Sequence, residues 1–190
     1  LLKTLLDDHG FGVSSVNVRS RRTGQWLRGA FSSPHAGERA QVVADFQRAM
    51  DLALEVGSPR ISTCPLNDGH DYVFEANYLD AYRWAEETFD RICAHNRAVR
   101  LSIEYKWNDP RVRCLLASAG EALAFCQAVG AENLGVTMDI GHALLAGELA
   151  RGAIEQQALL DPAAAERVQR QHPAHRSAAL ERGAPAFQVP

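Results

Sequence analysis

The chain has 190 residues, a net charge of −3 and a hydrophobic fraction of 46%, which together indicate a globular protein with one substantial core. The net negative charge argues against a nucleic acid partner, because nucleic acid binding needs clustered lysine and arginine. No apolar run approaches the roughly 18 residues of a membrane-spanning helix, so we expect no membrane partner.

The cysteines and the N-terminal residues favour a cytoplasmic location. The four cysteines show neither CxxC spacing nor the density of a disulfide framework, a pattern typical of reduced and buried thiols. The segment LLKTLLDDHG lacks the long apolar stretch and the small-residue cleavage site of a signal peptide. We therefore predict a cytoplasmic protein.

Helix-like and strand-like segments alternate along the chain, beginning with a short helix that ends at His9. The predicted strands cover residues 11–19, 59–66, 99–106 and 133–140, and the predicted helices cover residues 38–56, 77–96 and 112–129. Gly57 and Gly130 end two of these helices. The connections are too long for hairpins, so the alternation predicts βαβ units and a parallel sheet.

The composition changes at Arg151. Residues 151–190 are rich in alanine and arginine and carry prolines at positions 162, 173, 185 and 190. The pattern there predicts one helix over residues 163–171 and a short strand over residues 186–189. The chain therefore divides into residues 1–150, with the regular alternation, and residues 151–190, a helical or irregular tail.

The third and fourth predicted strands each have two unlike faces, because residues two apart in a strand share a side. In residues 99–106, leucine, isoleucine and tyrosine alternate with a face that ends in Glu104 and Lys106. Residues 134–141 likewise have an apolar face and a small or polar face that includes Asp139. This pattern favours a barrel with a polar interior over a doubly wound sheet, which would be apolar on both faces.

The carboxyl ends of parallel strands lie at one rim, so we expect Glu104 and Asp139 to be neighbours there. His142 follows Asp139 at a spacing of three residues. Two carboxylates and a histidine at such a rim are a reasonable site for a hard divalent cation. The alternative interpretation is that these are solvated strand-end charges in which Lys106 pairs with Glu104.

Three motifs carry a resemblance to a known family. Residues 104–111, EYKWNDPR, match an E-x-K-x-x-[D/E]-P element, and residues 139–148, DIGHALLAGE, match an acid-x-G-H-x-x-x-A-G element. Residues 67–72, NDGHDY, are a looser match to a glycine-acid loop. The sequence resembles the xylose isomerase-like TIM barrels, which include sugar and sugar-phosphate isomerases and epimerases. The resemblance covers roughly residues 1–150 and implies an α/β fold of the parallel (β/α)8 barrel type.

The resemblance implies roles for four residues at the rim. Glu104 would be a metal ligand and a catalytic carboxylate, and Asp139 would be the second metal ligand. His142 would contact substrate hydroxyls or a second metal, and Lys106 would reach the carbonyl oxygen of the sugar. The implied cofactor is a divalent metal (Mn, Mg, Co or Zn), and the implied activity is isomerisation or epimerisation of a sugar or sugar phosphate.

Further residues have two interpretations each. His70 follows a strand and Trp107 follows the charged strand end, so both are candidate substrate contacts; the alternatives are a polar loop and a cap on the barrel mouth. The loop after the first strand contains Trp26 and four arginines. It either holds a substrate phosphate or carboxylate or is a solvated loop. These arginines are Arg19, Arg21, Arg22 and Arg28.

The sequence supplies about four to five of the eight strands that the resemblance implies, and the expected late-strand histidine and glutamate ligands have no counterpart in it. We therefore expect an incomplete, truncated barrel. Because such a barrel leaves two strand edges unpaired, we expect a homo-oligomer. Two alternatives to a metal-dependent isomerase or epimerase remain: a non-catalytic barrel that oligomerises or binds sugar without turnover and, less favoured, a metal-dependent endonuclease of the same superfamily.

Overall fold

A computed structural model of the chain describes residues 2–21, 24–149 and 151–152. The strands are β1 (Val16–Asn17), β2 (Arg60–Thr63), β3 (Gly69–His70), β4 (Arg100–Glu104), β5 (Arg113–Cys114) and β6 (Leu134–Thr137). The helices are α1 (Leu2–Asp8), α2 (Ala36–Glu55), α3 (Tyr78–His95), α4 (Ala119–Val129) and α5 (Ile140–Leu145). The helix and strand predicted for residues 163–171 and 186–189, like Arg22, lie outside the described residues.

The main sheet has four parallel strands in the order β1-β2-β4-β6. α2 lies between β1 and β2 in the chain, α3 between β2 and β4, and α4 between β4 and β6. The predicted parallel βαβ arrangement is therefore confirmed, and the chain forms part of a barrel. The first strand is shorter than predicted, because only Val16 and Asn17 pair with β2 in strand geometry.

The predicted start of the helix at residues 112–129 is wrong. Cys114 and its neighbour form β5, which pairs antiparallel with β3, and the Leu115 amide donates to the carbonyl of Asp68. α4 begins only after Ser118, whose side chain accepts from the Glu121 amide. The backbone groups of residues 113–115 are thus hydrogen-bonded to the segment around β3, although the sequence pattern predicts that they form a helical turn.

The core lies between the outer face of the sheet and the helices. Ile61, Leu101 and Ile103 have no exposed surface and point towards the helix layer. Phenylalanines from the segment before α2 and from three helices complete this layer through stacked and edge-to-face ring contacts. Because the apolar side chains use this face, the alternate residues of each strand face the barrel interior.

The interior face is polar along its length. Asn17, Ser62, Ser102 and Gly135 form one row in register across the four strands. The Asn17 amide donates to the Ser62 hydroxyl, and Ser102 hydrogen-bonds Thr137. This face leads directly to the rim where the candidate residues lie. In the described part of the chain, no helix has both the length and the apolar character required to cross a membrane.

Candidate functional site

The structure brings Glu104, Asp139 and His142 together at the carboxyl ends of β4 and β6. Glu104 ends β4 and is in register with Thr137, two residues before Asp139. Each of the three residues offers one ligand atom, and these atoms lie within 4.8 Å of one another. The adjacency of β4 and β6 therefore produces the carboxylate pair expected from the sequence, and the first turn of α5 adds the imidazole.

Nδ1 of His142 faces the end of β4. It lies 3.1 Å from the backbone oxygen of Tyr105, which can only accept, so Nδ1 is the donor of this hydrogen bond. The same nitrogen is 3.3 Å from Oε1 of Glu104. In the neutral ring with this tautomer, Nε2 carries the lone pair that binds a cation or accepts from a substrate hydroxyl.

Asp139 is both a rim carboxylate and the N-cap of α5. Its Oδ1 accepts from the backbone amides of Gly141 at 2.7 Å and His142 at 3.1 Å. These hydrogen bonds, with that from His142 the stronger influence, hold the pKa of Asp139 below its usual value. The carboxylate is therefore ionised at neutral pH, and its Oδ2 makes no hydrogen bond to the residues described.

Lys106 pairs with Asp109, not with Glu104. Its Nζ donates to Oδ2 of Asp109 at 2.9 Å. This hydrogen bond raises the pKa of Lys106 and lowers that of Asp109, so both groups stay charged. The alternative in which Lys106 neutralises Glu104 is therefore wrong, because Glu104 has His142 as its neighbour.

The donor set fits a divalent cation. Carboxylate oxygens suit Mg and Mn, and an imidazole nitrogen is a common ligand of Mn, Co and Zn. Glu104, Asp139 and His142 supply three ligand atoms, and a six-coordinate ion would keep positions for water or substrate. The fit rests on this chemistry of the donors and on their convergence at one point.

The two other candidate residues lie in different environments. His70 belongs to β3, is 7% exposed, and contacts the Tyr78 ring edge to face at 5.1 Å between ring centres. Trp107 is 41% exposed and lies three residues after the end of β4. Substrate contact by either residue stays a prediction. The greater exposure of Trp107 makes contact with a substrate easier for Trp107 than for His70.

Two residues that organise the rim were not identified from the sequence. Glu148 accepts from the Tyr105 hydroxyl and from the Ala119 amide, each at 2.9 Å. Arg111 donates to Asp71 at 3.0 Å and to the backbone oxygen of Gly69 at 3.3 Å. Both residues close the motifs that carry the family resemblance, and that position is the one sequence signal that points to them.

The fold and the site together define a parallel α/β barrel domain with a charged, metal-compatible rim at the carboxyl ends of its strands. The chain belongs to the xylose isomerase-like TIM barrel family, whose family model matches residues 1–177.

Individual relatives agree with this assignment. The chain is 26% identical over 150 residues to a xylose isomerase of Thermus thermophilus, covering 76% of this chain and 39% of that protein. It superimposes on the structure of an L-ribulose 3-epimerase with a TM-score of 0.68 at 21% identity, covering 83% of this chain and 50% of that one. It superimposes on a D-psicose 3-epimerase, crystallised in the presence of D-fructose, with a TM-score of 0.60 at 20% identity. That superposition covers 76% of this chain and 48% of the other. The two structural likenesses show the shared fold, and the chain spans half or less of the length of each relative.

Proposed function

We propose that the chain carries the metal-binding and sugar-binding part of a divalent-metal-dependent isomerase or epimerase that acts on a sugar or sugar phosphate. The observation that carries this proposal is the convergence of Glu104, Asp139 and His142 within 4.8 Å at the carboxyl rim of the sheet. In barrels of this type the rim is where substrates and cofactors bind. We assign the site to a partial barrel over residues 1–150, with residues 151–190 as a separate tail.

The relatives support the choice of substrate class. One is described as a xylose isomerase, and the structural neighbours include L-ribulose 3-epimerase and D-psicose 3-epimerase. All three names refer to reactions at a carbonyl-bearing carbon or its neighbour in a short sugar. A rim with two carboxylates, an imidazole and an ammonium group has the acid–base chemistry for such a reaction.

Each residue has a role that follows from its position. Glu104, Asp139 and His142 would hold the cation, which when bound supplies Lewis-acid polarisation of a sugar carbonyl and the adjacent hydroxyl. The free carboxylate oxygen of Glu104 would accept the proton from the carbon next to the carbonyl. The Lys106 ammonium, kept charged by Asp109, would stabilise negative charge on the substrate oxygen.

The environment of the thiols supports a cytoplasmic location. All four cysteines are free. Burial raises the pKa of each thiol, from the usual 9.0 to about 12 for Cys64 and Cys114. Such thiols are protonated and unreactive at neutral pH, which suits a structural role in a reducing compartment.

Binding of sugar without turnover is the second candidate function. Among the described residues the possible metal group has three members, one of which, Asp139, also caps a helix.

In the described sheet, β1 and β6 each have one neighbouring strand, so both present an edge. Edges of this kind favour pairing with a second copy, and we propose a homo-oligomer on this basis.

Calorimetric titration with Mn²⁺ tests the site. We expect the wild type to bind Mn²⁺, and Glu104→Gln and Asp139→Asn to weaken binding by at least about tenfold, since each loses a charged ligand. Asp109→Asn is the matched control, because it removes a rim carboxylate outside the group of three. Equal Mn²⁺ affinity in the wild type and both ligand variants would rule out the assignment.

Turnover separates the two candidate functions. The Mn²⁺-loaded chain is incubated with D-xylose, L-ribulose, D-psicose, D-fructose, D-fructose 6-phosphate and D-glucuronate, and products are resolved by chromatography. Interconversion of any of these sugars that is lost in Glu104→Gln supports the isomerase or epimerase. Metal binding and sugar binding without any conversion support the binding protein.

A further inference from the structure

A cavity of about 750 Å³ opens beside the candidate site and is bordered by arginines. It is lined by residues 17–21, which end and follow β1, and by Cys64 and Leu66, which follow β2. No acidic side chain is among these lining residues, whereas Arg19 and Arg21 both are. Its walls therefore carry positive charge only, next to a rim where the group of three supplies negative charge.

Arg19 lies two residues after β1, and Glu104 ends β4 at the same edge of the sheet. Asn17 is paired with Ser62, and Ser62 with Ser102; two residues further along the chain from each come Arg19, Cys64 and Glu104. The Val18 amide donates to the Ser62 oxygen at 2.7 Å, so the backbone is bonded to β2 as far as the residue before Arg19. Cys64, which lines the cavity, directly follows β2, the strand between β1 and β4.

Through-space charge effects agree with this placement. After burial, the Glu104 carboxylate is the next strongest influence that raises the pKa of Cys64, and the Lys106 ammonium opposes it. The Arg21 guanidinium, which also lines the cavity, helps the Lys106 ammonium to lower the pKa of Asp109. The cavity and the candidate site are therefore parts of one electrostatic environment.

The two arginines lack the ion pairs that several other arginines of the fold form. Arg83, Arg111 and Arg113 each form an ion pair with a nearby carboxylate. Arg19 and Arg21 make neither a hydrogen bond nor an ion pair with any residue in the described ranges. Two like charges that line one cavity without a bound partner favour an anion, and the planar guanidinium group matches the oxygens of a phosphate or carboxylate.

We propose that Arg19 and Arg21 bind an anionic end of the substrate while the other end reacts at Glu104, Asp139 and His142. The substrate class is then a sugar that bears a terminal phosphate or carboxylate, not a neutral sugar. This inference rests on the proposed function, because it takes the group of three as the reacting end. It predicts selectivity for the anionic member of any matched pair of sugars.

Equilibrium binding of two matched pairs tests the proposal: D-fructose 6-phosphate against D-fructose, and D-glucuronate against D-glucose. We expect at least one anionic member to bind at least about tenfold more tightly than its neutral partner. The reason is that hydrogen bonds to charged groups are stronger than those between neutral groups. The phosphate pair and the carboxylate pair show separately which anion the cavity accepts. Equal binding of the charged and neutral members in both pairs would overturn the proposal.

Variants locate the effect. Arg19→Gln and Arg21→Gln should each reduce the preference for the anionic member by at least about tenfold, and Arg19→Lys should retain part of it. Arg97→Gln removes an equal charge from an exposed position before β4, at the opposite end of that strand, and should leave the preference unchanged. Equal losses in Arg97→Gln and Arg19→Gln would mean a general charge effect and would also overturn the proposal.

The readouts separate this inference from the proposed function. Binding is measured with and without Mn²⁺, and each variant is checked for an unchanged circular dichroism spectrum. A chain that binds Mn²⁺ and converts neutral sugars without any anion preference contradicts the inference alone. A chain with an Arg19-dependent anion preference but no Mn²⁺ binding contradicts the proposed function alone.

Discussion

The hydroxyl of Tyr105 donates a 2.9 Å hydrogen bond to Oε2 of Glu148, and this bond joins the end of β4 to the segment after α5. The second oxygen of Glu148 accepts from the Ala119 amide at the start of α4. The backbone oxygen of Tyr105 in turn accepts from His142. The side chain of Glu148 therefore helps to hold in place the strand end that carries Glu104.

Removing the carboxylate of Glu148 should destabilise the fold. We expect Glu148→Ala to lower the free energy of unfolding by about 2 kcal/mol, because it leaves a buried tyrosine hydroxyl and a helix N-terminal amide without their acceptor. Urea denaturation measures the change, with Glu132→Ala at an exposed glutamate as control. In combination with Tyr105→Phe the two losses should not add, and full additivity would contradict the shared bond.

Gly69 is required by the close approach of β3 and β5. A Cβ atom at this position would lie 2.2 Å from the backbone oxygen of Arg113. We expect Gly69→Ala to cost about 2 kcal/mol or more, because the obstructing atom belongs to backbone and cannot rotate away. Gly37→Ala is the matched control, since Gly37 is exposed within α2 with open space around it, and alanine there should be neutral or stabilising. Thermal unfolding of the two variants makes the comparison.

The buried carboxyl of Asp68 should make stability depend on pH. Burial raises the pKa of Asp68 from its usual 3.8, although hydrogen bonds from Ser32 and Ala30 partly oppose this. Because the folded state binds the proton more tightly, the contribution of Asp68 to stability is fully present below pH 3.8 and is lost as the pH rises through the raised pKa.

The comparison of the wild type with Asp68→Asn isolates this effect. As the pH rises above 3.8, the urea midpoint of the wild type should fall relative to that of the variant. Asp8→Asn, at an exposed carboxylate, controls for the change of net charge. A wild-type midpoint that instead rises relative to Asp68→Asn over this range would reverse the assigned direction of the pKa shift.

Lys106 should act on turnover and not on metal binding. If its ammonium stabilises charge on the substrate oxygen, Lys106→Met should lower kcat/KM by about 100-fold, the scale measured when one such electrostatic donor is removed. The Mn²⁺ affinity should stay within about twofold of the wild type, because Lys106 is not in the group of three. A parallel loss of metal affinity would show that Lys106 instead supports the ligands.

Several features of the fold and site follow from the sequence alone. The alternation of apolar and polar residues in β4 assigns Leu101 and Ile103 to the helix layer and Glu104 to the interior, because side chains in a strand alternate by covalent geometry. The order of strands and helices then predicts parallel neighbours, whose carboxyl ends share a rim. Glu104 and Asp139 are therefore neighbours for reasons that short segments of sequence already contain.

Only the tertiary structure decides which partners these charged groups take. The pairing of Lys106 with Asp109, the donation from His142 to the Tyr105 oxygen, and the departure of residues 113–118 from a helix all depend on contacts between segments. Such contacts depend on which of all the available partners in the folded chain gives the lowest free energy. The spacing of apolar residues within one segment does not contain that information. The nearness of Arg19 and the cavity to Glu104 is of the same kind, since it depends on the register of β1, β2 and β4.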